Sequence, residues 1–134
     1  MSEKKASVHW EGAGKAGQGQ ISTETGALDR YPYGFASRFG DDRKGTNPEE
    51  ILGAAHAACF TMAFSFAAEK AGVATEAVDT TASVRLSKDG DGFVIDRIAL
   101  TLKAKVAADA KANCPLSKAL AAVPEITLEA QLVP

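Results

Sequence analysis

The two cysteines are the residues of this sequence with the clearest capacity for chemistry. Cys59 lies within a long apolar segment, and Cys114 stands directly before Pro115. A thiolate is a nucleophile, and two cysteines can interconvert between dithiol and disulfide. Position alone does not show that either cysteine is reactive. Free cysteine is often a small core residue, and Cys114 could be a helix cap without a chemical role. Position even favours Cys114 as the more readily ionised thiol, since a helix N-terminus stabilises negative charge.

Arg38 and His56 are the residues that could activate a thiol. Arg38 lies among aromatic residues at 33–39, where a guanidinium more often reaches the surface but, if turned inward, would be a fixed positive charge that holds a thiolate. His56 precedes Cys59 by one helical turn and could act as its base, although a core histidine with satisfied hydrogen bonds is the commoner case. A mixed zinc site of His56, Cys59, Cys114 and a carboxylate would lack the close ligand spacing of such sites, so we expect no metal.

The clearest predicted element is a long helix from about residue 48 to 71. Asn47 suits the N-cap, Pro48 the first helical position and Gly72 the C′ position. The stretch from Ile51 to Ala68 contains no Asp, Glu, Lys or Arg, and one histidine. Its length and apolar character raise the question of a membrane span, but its alanines, serines and glycine would insert weakly. We therefore expect no membrane and a central helix buried on nearly all sides, which a dimer would achieve naturally.

The remaining pattern predicts strands on both sides of this helix. Alternating apolar residues and a turn at 89–92 indicate a long hairpin after it. The expected elements are strands Ala6 to Glu11, Gly19 to Thr25 and Gly34 to Phe39, an irregular stretch Leu28 to Tyr33, a hairpin over about 78–106, a short helix over about 115–122 and a final strand over about 125–133. This order predicts an α+β fold, with an antiparallel sheet packed on a long buried central helix in a single domain spanning 1–134.

Composition excludes several classes of protein. The chain has 134 residues, enough for one domain, and a formal net charge of −2 without a basic stripe, so we expect no nucleic acid partner. Residues Met1 to His9 are polar and contain no apolar segment typical of secretion signals. Two cysteines are too few for a secreted disulfide scaffold. We therefore expect a cytoplasmic protein, in which a cysteine pair is more often catalytic or redox-active than a permanent cross-link.

Several segments resemble the family of osmotically inducible protein C and organic hydroperoxide resistance proteins (OsmC/Ohr). The resemblance covers nearly the whole chain and is closer to the OsmC branch. Its segments are Lys44-Gly45-Thr46-Asn47-Pro48-Glu49-Glu50 continuing through Gly53 to Cys59-Phe60, His9-Trp10-Glu11-Gly12, Tyr33-Gly34-Phe35 with Arg38, Val78-Asp79-Thr80-Thr81-Ala82, and Asn113-Cys114-Pro115.

The resemblance implies a thiol peroxidase that reduces organic hydroperoxides and forms an intimate homodimer with active sites at the subunit interface. It assigns peroxide attack to Cys59, resolution through a Cys59–Cys114 disulfide to Cys114, and support of the reactive thiolate to Arg38 and Glu49. It implies no cofactor, but an external dithiol reductant, of lipoyl type. His56 is left out of the catalytic set, because a histidine at that position is not general to the family.

The spacing of Glu49 and Cys59 constrains how they could share a site. Ten residues of straight helix separate them by about 15 Å along the axis. Either the helix breaks, or the Glu49 that serves Cys59 belongs to a partner subunit. We expect the second arrangement, because two helices packed antiparallel about a two-fold axis bring each start near the other's middle.

One departure from the family pattern concerns Cys114. Between the strand ending near Val106 and Cys114, the chain is shorter than the family by roughly a helix and a turn. Either the shortening is natural, or a segment is missing from the sequence at this point. If it is natural, Cys114 reaches Cys59 by a different route or not at all.

Two alternatives to a peroxidase remain. One is a structural disulfide, which is disfavoured because we expect a cytoplasmic protein, where permanent disulfides are rare. The other is a non-catalytic module of the same fold that binds a small apolar or lipid-like ligand. Two cysteines with Arg38 and Glu49 favour the enzyme, since a binding module needs none of them. The apolar surface of such a module would come from Phe35, Phe39, Phe60 and Phe64, although these phenylalanines could equally be core residues and we expect some of them to be.

Overall fold

The computed structural model describes residues 2–106 and 126–133, with side chains over residues 2–105. The chain divides into an N-terminal unit, Met1–Ile51, and a C-terminal unit, Leu52–Pro134. The two units are described in turn.

The N-terminal unit contains a three-stranded antiparallel sheet in the order β1-β2-β3. Its strands are β1 (Ala6–Glu11), β2 (Gln18–Thr23) and β3 (Tyr31–Gly34), and a short 3₁₀ turn at Gly14–Ala16 precedes β2. The expected irregular stretch at Leu28 to Tyr33 is confirmed for residues 28–30 and wrong from Tyr31 onward, because β3 pairs with β2 there. Pro32 made that stretch look unlike a strand, but β3 is an edge strand, where the missing N–H of proline costs no ladder hydrogen bond.

The expected strand from Gly34 to Phe39 is also wrong, since the chain turns there into a one-turn helix, α1 (Phe35–Phe39). The Ser37 hydroxyl accepts a hydrogen bond from the Gly34 N–H at 2.9 Å, which closes the turn. The rings of Phe35 and Phe39, four residues apart, lie with centroids 5.0 Å apart. Such a spacing favours a helix, but in five residues it is hard to distinguish from strand alternation.

Helix α2 (Pro48–Lys70) runs unbroken from the end of the N-terminal unit into the C-terminal unit. At its start, the Asn47 side-chain oxygen accepts a hydrogen bond from the Glu50 N–H at 2.8 Å. At its end, Gly72 takes a φ of 81° and the Val73 N–H reaches the Ala68 carbonyl at 2.8 Å. These are the capping contacts that the residue types at the two ends favour.

The C-terminal unit contains a sheet in the order β4-β5-β6. Strands β4 (Thr75–Asp89) and β5 (Gly92–Val106) form a long antiparallel hairpin, with Gly90 at a φ of 58° in its turn. Strand β6 (Ile126–Val133) lies parallel to β5, so the expected antiparallel arrangement holds for the hairpin and is wrong for this strand. The connection between β5 and β6 exceeds the dozen or so residues that a parallel crossover requires. The predicted short helix at about 115–122 lies outside the described residues.

Helix α2 packs on the hairpin, and Phe64 lies on the packed face. Phe64 of α2 is buried against Leu102 and Ala104 of β5. On other sides of the helix, Met62 and Phe66 have 62% and 63% of their surface exposed. The expected burial of α2 on nearly all sides assumed a dimer, so it stays a prediction; in the single chain part of the helix is exposed. Its length and apolar composition would also suffice to cross a membrane, a property that it shares with core helices of soluble proteins.

Candidate active site

A side-on ion pair joins Arg38 of α1 to Glu49 in the first turn of α2. The Arg38 Nη2 donates to Glu49 Oε1 at 2.7 Å, and Nε lies 3.2 Å from Oε1 and 3.3 Å from Oε2. Charge-assisted pairs of this forked kind fix the plane of the guanidinium as well as its position. Because Glu49 takes the Nε and Nη2 edge, the Nη1 edge is left for another acceptor.

Burial makes this pair more than a surface contact. The Glu49 side chain is 11% exposed and that of Arg38 is 36% exposed. A carboxylate with so little access to water is stabilised chiefly by its cationic partner. The Phe39 ring, whose centroid lies 5.2 Å from the guanidinium carbon, supports Arg38 from another side. Glu49 therefore holds Arg38 as an oriented cation with one hydrogen-bonding edge free of Glu49.

A polar junction formed by Ser37, Thr46 and Asn47 links α1 to the start of α2. The buried Ser37 hydroxyl donates to the Thr46 carbonyl at 2.8 Å, and the Asn47 Nδ2 donates to the Ser37 carbonyl at 3.3 Å. Gly45 lets these segments approach, since a Cβ there would lie 2.8 Å from the Pro32 carbonyl oxygen. The sequence had indicated Asn47 only as a helix cap, and no local pattern marked its contact with Ser37.

Cys59 lies on α2 in the C-terminal unit, is exposed, and has no disulfide partner among the described residues. Its exposure in the single chain argues against a plain core residue. His56, one turn earlier, is partly buried. Cys114 lies outside the described residues, so its pairing with Cys59 stays a prediction. The structure thus brings Arg38 and Glu49 together in one unit. Cys59 lies further along α2, the helix whose first turn contains Glu49.

The four phenylalanines proposed for an apolar binding surface separate into two groups. Phe64 and Phe60 belong to the core of the C-terminal unit, where they contribute to packing. Phe35 and Phe39 are 41% and 39% exposed and pack against each other in the N-terminal unit. The binding surface expected for a lipid-like ligand therefore loses two of its four members to the core.

A cleft of about 350 Å³ in the N-terminal unit is a separate feature. Its lining mixes charges of both signs, Glu11 and Asp42 with Lys15 and Lys44, and includes Ser37 of the polar junction. Neither member of the ion pair lines it, so we do not place the reacting groups there.

Comparison with protein families and curated proteins gives a consistent assignment. A family model described as OsmC-like protein matches residues 40–129. The chain is 49% identical to "Peroxiredoxin OsmC" of Escherichia coli (strain K12), with 96% of each chain covered. It is 29% identical to "Organic hydroperoxide resistance protein-like 1" of Staphylococcus saprophyticus, with 86% of this chain and 88% of the relative covered. The alignment with the first relative spans 142 positions, more than the 134 residues of this chain, so that relative has residues with no counterpart here.

Solved structures share the fold. An organic hydroperoxide resistance protein from Elizabethkingia anophelis superposes with a TM-score of 0.68 at 20% identity, covering 99% of this chain and 98% of its own. The organic hydroperoxide resistance protein OhrB of Bacillus subtilis gives a TM-score of 0.54 at 27% identity, covering 96% and 98%. At its lower identity, the first of these likenesses concerns the fold alone.

Proposed function

The chain belongs to the OsmC-like family, in its OsmC branch, and from that premise we propose that it is a thiol-dependent peroxidase that reduces organic hydroperoxides to alcohols. The observation that carries the proposal is the Arg38–Glu49 pair, a buried carboxylate that orients a guanidinium, in a chain whose exposed thiol lies on the same helix as the carboxylate. The printed names of the relatives, a peroxiredoxin and a hydroperoxide resistance protein, support the same reaction class.

The proposed chemistry needs no cofactor in the chain. The Cys59 thiolate attacks the terminal oxygen of the hydroperoxide, the O–O bond breaks, and the alkoxide takes a proton and leaves as the alcohol. Cys59 is then a sulfenic acid. The Cys114 thiol condenses with it, which releases water and forms a disulfide that protects Cys59 from further oxidation. An external dithiol, of lipoyl type by family resemblance, restores both thiols by exchange.

Arg38 contributes charge and hydrogen bonds to this reaction. Its Nη1 edge, which Glu49 does not occupy, can donate to the peroxide oxygen that becomes the alkoxide, where negative charge develops. Glu49 keeps the guanidinium in place without taking that edge. In this scheme Arg38 touches the reacting atoms and Glu49 acts through Arg38.

We propose further that the working form is a homodimer. Helix α2 is unbroken, so Glu49 and Cys59 of one chain are about 15 Å apart along its axis. Large apolar side chains, including those of Met62 and Phe66, are exposed on α2. Antiparallel packing of two such helices would cover this surface and bring the Arg38–Glu49 pair of one protomer to the Cys59 of its partner. We expect such a dimer in the cytoplasm.

The experiment that tests the function is hydroperoxide consumption in the presence of a lipoyl dithiol, with tert-butyl hydroperoxide and hydrogen peroxide compared. The Cys59→Ser variant is expected to lose turnover completely. In a second reaction without dithiol, Cys114→Ser is expected to reduce about one equivalent of peroxide per chain and to end as a sulfenic acid that dimedone labels, whereas wild type ends as a disulfide that dimedone does not label. Full turnover by Cys59→Ser with the dithiol would disprove the proposal, and an oxidised wild type that dimedone labels as strongly as Cys114→Ser would disprove the resolving role alone.

A further inference from the structure

Helix α1 cannot by itself fix the direction of Arg38. It has five residues, and a single helical turn is unstable in water without tertiary contacts. The ion pair with Glu49 joins the tips of two flexible side chains, so it does not by itself fix the backbone of α1. The Thr46 N–H donates to the Pro32 carbonyl at 2.9 Å, which ties the segment before α2 to β3 but makes no contact with α1 itself. Something else must hold the two backbone segments at a constant separation if Arg38 is to point in one direction.

The polar junction supplies this restraint next to both members of the pair. Ser37 directly precedes Arg38, and the Thr46–Asn47 segment directly precedes α2. Ser37 donates through its hydroxyl to this segment at 2.8 Å and accepts through its carbonyl from Asn47 at 3.3 Å. The two hydrogen bonds run in opposite directions, so the segments are held at two points.

Asn47 performs two separable tasks in this arrangement. Its Oδ1 caps α2 by accepting from the Glu50 N–H, and its Nδ2 holds the Ser37 carbonyl of α1. Serine and aspartate cap helices about as well as asparagine, but neither carries a donor in the place of Nδ2. Capping explains the hydrogen bond that the Asn47 Oδ1 accepts, but it does not explain the one that Nδ2 donates to the Ser37 carbonyl.

We propose that Asn47, acting together with Ser37, is a positioning residue that fixes the Arg38 guanidinium against Glu49, beyond its part in capping α2. This inference rests on the proposed peroxidase function for its kinetic consequence. Its structural consequence, the strength of the Arg38–Glu49 coupling, can be measured without any peroxide.

The first test is a double-mutant cycle of Arg38→Met and Glu49→Gln, with unfolding in urea as the measurement, performed with Asn47 present and in Asn47→Ser. We expect Asn47→Ser to unfold near the wild-type midpoint, because the cap is kept. The coupling between Arg38 and Glu49, expressed as a ratio of unfolding equilibrium constants, is expected to fall at least threefold. Unchanged coupling in Asn47→Ser would overturn the proposal.

The second test is the rate constant for the reaction of the reduced protein with tert-butyl hydroperoxide. Asn47→Ser, and Asn47→Asp as a check on charge, are each expected to react about tenfold more slowly. Asn47→Ala, which loses the cap as well, should be less stable than Asn47→Ser but no slower. A wild-type rate in both capped variants would contradict the inference. A wild-type protein that consumes no hydroperoxide would instead disprove the proposed function, and the coupling cycle would still decide the positioning role.

Discussion

Replacing Arg38 with methionine is expected to destabilise the chain by an amount that depends on how deeply the Arg38–Glu49 ion pair is buried. Breaking a fully buried ion pair costs about 3–5 kcal/mol, and removing an exposed pair costs about 0–1 kcal/mol. Glu49 is 11% exposed but Arg38 is 36% exposed, so water screens part of the interaction. An intermediate cost of about 2 kcal/mol follows for Arg38→Met, which is roughly a thirtyfold change in the unfolding equilibrium.

The two members of the pair should not be equivalent. Arg38→Met keeps much of the packing of the side-chain stem but leaves the Glu49 carboxylate buried without its cation. Glu49→Gln keeps one acceptor oxygen, and the guanidinium can reach water, so a cost of about 1 kcal/mol is expected. The expected order, in which Arg38→Met lowers the free energy of unfolding more than Glu49→Gln does, is therefore a sharper test than either value alone.

Urea unfolding followed by far-ultraviolet circular dichroism measures both variants and their control, because its signal comes from the helices and strands of both units. Arg85→Met is a matched control, because Arg85 makes a similar forked pair with Asp96 on the hairpin, at 2.8 and 3.0 Å, with 57% of its side chain exposed. All proteins must be compared at one concentration, because a dimer would make the midpoint concentration-dependent. If Arg38→Met costs no more than Arg85→Met, the argument from burial is wrong.

Three further outcomes are expected. Gly45→Ala should cost about 1–3 kcal/mol in urea unfolding, because its Cβ would press on the Pro32 carbonyl oxygen, and a neutral effect would contradict that close approach. Phe66→Glu should convert the proposed homodimer to monomer in sedimentation velocity, and a dimer that survives it would place the interface elsewhere. The hydrogen bonds from Arg85 lower the pKa of Asp96. The ion pair therefore stabilises the fold fully above the ordinary aspartate pKa of about 3.9, and this stabilisation is lost as the pH falls through the lowered pKa. Wild type should therefore melt above Asp96→Asn at pH 7, the gap should close in strong acid, and a gap that is constant with pH would refute this.

Local signals sufficed for the elements whose ends are marked in the sequence. The limits of α2 follow from Asn47, Pro48 and Gly72, each of which acts through backbone geometry or a contact within four residues. The turn of the long hairpin follows from the glycine and aspartate residues at 89–92 for the same reason.

Features that depend on distant partners could not be predicted in this way. Alternation of apolar residues identifies β6 as a strand but carries no information about its direction beside β5. The sequence of an all-round apolar helix such as α2 does not indicate which of its faces is packed in one chain and which stays exposed. The contact of Ser37 with Asn47 joins residues ten positions apart through a loop, and only the folded backbone brings them together.

The matched charges of Arg38 and Glu49 also bear on how a substrate would arrive. A lone guanidinium sends a positive field outward and draws anions from a distance, at rates that fall as salt is added. A guanidinium paired at 2.7 Å with a carboxylate has little net charge at that range. The pair acts on molecules already in contact with it and does not attract them from a distance. A neutral hydroperoxide should therefore associate with the site as fast as an anionic one. The rate of peroxide reduction should accordingly be nearly independent of ionic strength.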